Sequence, residues 1–567
     1  MASSGGAPAR ETARLWLEAA LAALARQGRT EWSGSPPHLA LIARPKAEGF
    51  AVFPRDVRPG RPERGRALLA GDFALAGEVL SVGPGGDPWN RPSPSRAFAE
   101  ALHRFGWLRD LLSGGEEGAR EALRLIQEWR LTFGRWSSFS WAGALLERRV
   151  VNLACGLEPI AALASEAEIE MLADLLARQA RQLLLTRAPV WRQAERAVAA
   201  GIAGAALAGR AGERLIAKAM PRIGRAVAAS VLPDGGHASR APEAALQLLL
   251  DLLALDDGWT QRGYQVPDEA VRAIDRLTAA LRFFTLPDGR LACFQGGEQS
   301  EPMLIAAARA HDDAEASGPP SHAPHSGYQR LEGRSIQVMM DVGRPAPAPW
   351  NVSACAQAGA IEVVCGKDRL VTNSGWSLRA PWAQALRLTD GGSTVSLAHE
   401  SAGAPLGGWP ARLLGPRLVG GPAQVEVRRA SAEAGVWLDF SHDGWAGRVG
   451  LMHERRLYLD FAADELRGED QFTATGPPRA SRVIPYAVHF HLPPEVEAVL
   501  ARDHRSVLLR GPSAKGWWLR NDAVDVRVEP AVCFRHGQQV ATRQVVLLGH
   551  VHVDKGGRVR WKLTAAE

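Results

Sequence analysis

The feature that most constrains the fold of this chain is a single change of hydrophobic period near residues 312–325. Before it, from about residue 95, apolar residues recur at helical spacing, as in Leu102, Phe105, Leu108 and Leu111, or Leu172, Leu175, Leu176 and Leu183. The pattern predicts helices over about 96–113, 117–132, 137–154, 166–186, 190–208, 211–230, 241–255 and 267–285, joined by short polar turns. After it the period becomes two, as in Val425-Glu426-Val427-Arg428, Val436-Trp437-Leu438-Asp439-Phe440 and Val524-Asp525-Val526-Arg527-Val528, with Gly- and Pro-rich turns between the strands. The stretch Asp312-Asp313-Ala314-Glu315-Ala316-Ser317-Gly318-Pro319-Pro320 has the composition of a linker. The expected architecture is α+β multidomain: an α/α toroid followed by an antiparallel β-sandwich. Expected boundaries are a tail and helix over 1–37, the toroid with an irregular leading segment over 38–311, the linker over 312–325 and the sandwich over 326–567.

Composition narrows the function. A chain of 567 residues with 46% hydrophobic and 23% charged residues is globular with a sizeable core. The net charge of +6 is a small excess for this length, and no duplex-binding motif or basic cluster with interleaved aromatics accompanies it, so no nucleic-acid partner is expected. The five cysteines, at 155, 293, 355, 365 and 533, are odd in number and form no C-x-x-C pair, which argues against a disulfide framework or a zinc–cysteine site. No uncharged apolar run reaches transmembrane length. The opening residues lack a charged start followed by a cleavage site, so no secretory signal is expected.

One turn stands out as a place for chemistry. Pro233-Asp234-Gly235-Gly236-His237-Ala238-Ser239-Arg240-Ala241-Pro242 runs directly into the apolar segment Leu246 to Leu255. Pro and Gly force the turn, and Pro242 suits the first turn of the helix that follows. His237 and Arg240 are thereby placed at a helix entrance, where they meet an anionic group, cap the turn or form a plain salt bridge.

With the layout of a helical half followed by a β half, the chain resembles the heparinase II/III-like family from about residue 38 to 565. The landmarks are Phe105-Gly106-Trp107-Leu108-Arg109, the Asp-Gly-Gly-His…Ser-Arg-x-Pro turn, Pro324-His325-Ser326-Gly327-Tyr328-Gln329-Arg330-Leu331, Ser441-His442-Asp443-Gly444-Trp445 and His453-Glu454-Arg455-Arg456-Leu457. The resemblance implies β-elimination at a uronic acid: the sugar carboxylate is neutralised, a base removes the C5 proton and an acid protonates the departing O4. The implied partner is an acidic polysaccharide held in a groove between the halves. The implied setting is the periplasm or cell envelope, against which the missing signal leaves the cytoplasm open.

The catalytic positions depart from the family pattern. Where relatives carry His-x-His-x-Asp, this chain reads Cys355-Ala356-Gln357-Ala358-Gly359; the family's Asp-Ser-Gly becomes Asn373-Ser374-Gly375, and its His-Asn-Thr becomes Gly392-Ser393-Thr394. No zinc or other cofactor is therefore expected. The family's catalytic Tyr is absent from the loop Asp288 to Gln295, and among the four tyrosines Tyr264 is the substitute. The expected catalytic set is His237, Arg240 and Tyr264. The expected substrate-binding set is Gln295, flanked by Glu298; Gln357, at a family histidine position; and Arg387, pairing either with a uronate or across the sheets. His489-Phe490-His491 places two imidazoles on one strand face without an evident third ligand, and His453 starts a charged strand expected to be solvated or bridged. Two functions follow: a uronate polysaccharide lyase, or a relative that binds an acidic polymer without cleaving it.

Overall fold

The computed structural model describes residues 9–312, 318–378, 380, 382–476, 482–535 and 537–566; residues 313–317 of the expected linker lie outside the described residues. The helical half comprises α1 (Ala9–Gly34), α2 (Pro36–Ala43), α3 (Pro62–Leu69), α4 (Arg96–His103), α5 (Leu108–Leu112), α6 (Gly115–Phe133), α7 (Gly143–Cys155), α8 (Leu157–Ala161), α9 (Glu166–Leu185), α10 (Gln193–Ala206), α11 (Gly209–Ser230), α12 (Pro242–Gln261), α13 (Asp268–Phe284) and α14 (Pro302–Arg309). Of these, α10 packs against α7, α9, α11 and α12, and every residue from Arg196 to Ala206 is buried. A helix of small residues that is apolar all round belongs at the centre of such an array. The core runs unbroken through Leu102, Trp129, Leu172, Ile202, Leu249 and Phe284.

Two local differences from the sequence reading have physical causes. The predicted helix over 96–113 is broken into α4 and α5, because Phe105 takes φ 58° and turns the chain. The segment over 38–90, expected to be irregular, contains α2, α3 and a hairpin of β1 (Asp72–Leu75) and β2 (Glu78–Ser81). There, proline at the first turn starts both helices, and Ser35 caps α2 by accepting from the His38 N–H.

The β half is built from antiparallel sheets. The first contains β3 (His322–Ala323), β4 (Tyr328–Glu332), β5 (Ile336–Asp341), β6 (Ile361–Cys365) and β7 (Asp368–Val371) in chain order. Further strands are β8 (Val395–Leu397), the pair β9 (Gly403–Pro405) and β10 (Leu418–Gly420), then β11 (Val425–Ala432), β12 (Gly435–His442), β13 (Leu451–Asp460), β14 (Glu465–Ala474), β15 (Val483–His491), β16 (Glu497–Leu500), β17 (Ser506–Arg510), β18 (Gly516–Asn521), β19 (Asp525–Arg535), β20 (Gln538–His552) and β21 (Gly557–Ala565). They form an eight-stranded sheet in the order β11-β12-β13-β14-β21-β18-β17-β16 and a four-stranded sheet in the order β19-β20-β15-β8. Strand β13 alternates strictly between buried and half-buried residues, the signature of a sheet with one covered face. Val338, Val363, Leu438, Leu459, Val488 and Leu547 bring all three sheets into one core.

Of the two expectations for His453, solvated or bridged, the structure bears out the bridge. His453 is fully buried, pairs with Asp470 at 2.9 Å, and lies beside His442 and Arg455, which bonds the same carboxylate at 2.7 Å. Trp517 faces the core while its neighbour Trp518 is half-buried.

Candidate functional site

The site is the seam where the toroid rim meets the first β sheet. Its centre is the turn between α11 and α12. Gly235 takes φ 82°, and a Cβ there would lie 1.9 Å from the Arg276 carbonyl oxygen, so only glycine fits. Asp234 holds the turn to the β half by accepting from the backbone N–H of Ser326 at 2.7 Å.

His237 points inward. Its Nδ1 accepts from the Ser239 hydroxyl at 2.7 Å and from the Ser239 backbone N–H at 3.1 Å, which leaves the ring proton on Nε2. The ring edge meets Trp350, 5.4 Å between centroids, and burial pushes the imidazole pKa down to about 4. Trp191 packs against the cluster of Ala238, Ala346 and Trp350, the Arg417 guanidinium lies over the Trp191 ring, and Arg417 faces Glu18 of α1 at 3.7 Å. This chain of contacts closes the outer side of the turn.

Arg240 is not in the helix. It takes φ 65° and crosses into the β half, donating to the carbonyls of Ser326 (2.6 Å), Arg344 (2.6 Å) and Gly327 (3.0 Å) and pairing with the Asp341 carboxylate. Its guanidinium lies over the Tyr328 ring, whose hydroxyl donates to the Arg240 carbonyl at 2.7 Å. Asp341 also accepts from Gln295 Nε2 at 2.7 Å and from the Gly343 N–H at 3.1 Å, while Gln295 Oε1 accepts from the Cys355 N–H at 3.0 Å. Arg240 and Gln295, expected to meet substrate, are thus rivets between the halves.

The other expected residues also make their contacts within the protein. Tyr264 follows the far end of α12, about 30 Å along the helix from the turn, and packs against Trp259, so it does not converge with His237. Gln357 is buried and donates to the carbonyls of Leu386 (2.9 Å) and Leu388 (3.1 Å). Arg387, expected to pair with a uronate or across the sheets, is fully buried and has no carboxylate partner among the described residues: it donates to the Ala354 carbonyl at 2.7 and 2.9 Å and to Gln384 at 2.8 Å, and lies over the Trp376 ring, with burial pushing its pKa down to about 10.

The residues at the family's zinc positions do not suit a metal. Asn373 is held by the Cys293 carbonyl and the Ser393 N–H, Cys355 is pushed up to about 11 by burial, and His491 Nε2 meets the Asp390 carbonyl at 2.7 Å. His489 and His491 share a face, as the alternation implies, and His489 is taken up by Ser396 and Gln544. Among the described residues no group of three or more His, Cys, Asp or Glu side chains is placed to hold a metal.

Sequence reasoning missed the acids that fix the seam. Asp341 ends a wholly buried strand, and Glu362 sits mid-strand, bound to Arg369 at 2.9 Å and Thr372 at 2.6 Å, while Arg369 reaches Asp288 of the helical half at 2.8 Å. A single charge in a strand that carries no other was the available signal. Beside the seam an open groove of about 410 Å³ remains, lined by Arg64, Glu243, Arg290, Glu298 and Arg535. Its floor is tied across the halves by the Glu298 carboxylate, which accepts from the Gly537 N–H at 3.2 Å.

The profile described as "Heparinase II/III-like, C-terminal" matches residues 315–562. The crystal structure of heparinase III superposes with a TM-score of 0.68 over 94% of this chain and 91% of that one, at 14% identity. The chain belongs to the heparinase II/III-like family. A second family structure, a mutant of heparan sulfate lyase HepC from Pedobacter heparinus, covers 91% of this chain and 85% of that one with a TM-score of 0.57 and 13% identity. At such identities the likeness is one of fold. FtsZ-localized protein C of Caulobacter vibrioides (strain NA1000 / CB15N) is 52% identical over 568 residues, covering 99% of this chain and 98% of that protein.

Proposed function

We propose that this protein is a heparinase-fold member that works by binding, without β-elimination, and that it localises with FtsZ. The observation that carries the first part is the inward direction of the family turn. β-Elimination needs a base with a free lone pair beside the C5 proton and a cation or amide facing the sugar carboxylate. His237 spends its lone pair on Ser239, and Arg240 spends its donors on Asp341 and three carbonyls. The second part is supported by the 52% identity, over nearly the whole of both chains, to a protein named for its localisation with FtsZ.

A second reading, retained lyase activity, is favoured by the groove beside the seam, where Arg64, Arg290 and Arg535 lie with Glu243 and Glu298. The localisation test is a fluorescent fusion followed in dividing cells whose FtsZ can be depleted. Bands that coincide with FtsZ and disperse on its depletion are expected; a signal indifferent to FtsZ overturns the assignment.

A further inference from the structure

Helix α11 carries a row of cations that the fold leaves facing solvent. Arg210, Arg214, Lys218, Arg222 and Arg225 are all exposed and fall within about one third of the helix circumference, opposite the buried Leu215, Ala219, Ile223 and Val227. Three of their spacings are i,i+4, where like charges work against the helix. Glu213 is the one acid of the helix, and among the described residues none of the five cations is paired with a carboxylate. The neighbouring α9 does not extend the row: its Arg178 pairs with Asp174 at 2.7 Å, and its Arg181 is buried and donates to the Ile42 carbonyl at 2.6 Å.

The C-terminal end of this row opens into a cleft of about 460 Å³ between the end of α9, the start of α10 and α11. Arg187, Arg222 and Arg225 stand around it over an apolar floor that includes Leu184, Ala197 and Ala226. Arg196 also lines it, already bound to Glu147 at 2.9 Å and to the Thr186 carbonyl at 3.0 Å. The lining includes no carboxylate and no aromatic ring.

We propose that this cleft and the basic face of α11 bind an acidic peptide segment of a partner protein, with its carboxylates on the arginines and one aliphatic side chain on the Leu184–Ala226 floor. Guanidinium forks match carboxylates two bonds at a time. Single-stranded nucleic acid binds on aromatic platforms, and the cleft offers none. The row from Arg210 to Arg225 is about 22 Å long, the span of about seven extended residues. The site is separate from the seam, and the proposal does not depend on localisation with FtsZ.

The test is fluorescence anisotropy of a fluorescein-labelled decapeptide of aspartate and glutamate with one central leucine, titrated with the full chain. Saturable binding that weakens with salt is expected, along with a weakening of about tenfold or more in R222E/R225E. Both side chains are exposed, but Arg222 donates to the Leu184 carbonyl at 2.8 Å and Arg225 to the Pro221 carbonyl at 3.1 Å, so a modest drop in melting temperature is expected and the titration is read at a temperature where both proteins are folded. Replacing the peptide's leucine by serine should weaken binding several-fold. No peptide binding, or equal binding by R222E/R225E, overturns the proposal. So does tighter binding of an oligo-dT strand or of phosphatidylglycerol vesicles that the same variant abolishes, which would assign the face to nucleic acid or to a lipid surface.

Discussion

Replacing Arg240 by alanine tests whether the family turn now serves as a rivet. The guanidinium is buried, its carboxylate partner Asp341 is fully buried, and three backbone carbonyls share its remaining donors. Removing one member of a buried ion pair leaves the other charge uncompensated, at a cost of about 3–5 kcal/mol. Gln295 and the Gly343 N–H still donate to Asp341, which keeps the loss near the lower end of that range. The assay is urea unfolding followed by the fluorescence of the 18 tryptophans. The cycle R240A, D341A and R240A/D341A separates the pair from the packing: the double variant should be more stable than additivity predicts by about 1–3 kcal/mol. An R240A loss under about 0.5 kcal/mol, the size of an ordinary surface change, would refute the rivet.

Three further outcomes follow from the same geometry. His237 is held down to about 4 by burial against about 6.5 unfolded, so the unfolded chain takes up its proton first as pH falls. Its contribution, about 3 kcal/mol at most, is complete above pH 6.5 and is lost towards pH 4; H237Q should flatten the stability profile in that window, and an unchanged slope contradicts the burial argument. G235A should destabilise by about 2 kcal/mol or more in the same urea assay, because its Cβ meets the Arg276 carbonyl at a positive φ. D470N should be among the most damaging substitutions, since Asp470 holds His453, Arg455 and the Trp561 indole in the β core; about 3 kcal/mol or more is expected, and wild-type unfolding refutes it.

The architecture was legible because period is a local property. Leu172, Leu175, Leu176 and Leu183 lie on one stripe of α9, and Val436, Leu438 and Phe440 on one face of β12, whatever surrounds them. The turn at Gly235 was legible for the same reason. The direction of Arg240 was not, because its partner lies 101 residues later at the end of β5. The internal partners of Gln295, Gln357 and Arg387 were not legible for a related reason: Asp341 and the Cys355 N–H for Gln295, and backbone carbonyls for Gln357 and Arg387, lie far enough along the chain that only the fold brings them close. At His453, strand alternation already visible in the sequence separates the bridged reading from the solvated one.

We propose that the heparinase fold persists here without the family's elimination chemistry. It is tested most directly by incubating the purified wild-type chain with a panel of uronate polysaccharides, an active heparinase alongside as control, while ultraviolet absorbance of the unsaturated product is followed. A flat trace is expected with every substrate across pH 5 to 9. A rising trace with any of them, abolished in H237A, would contradict it.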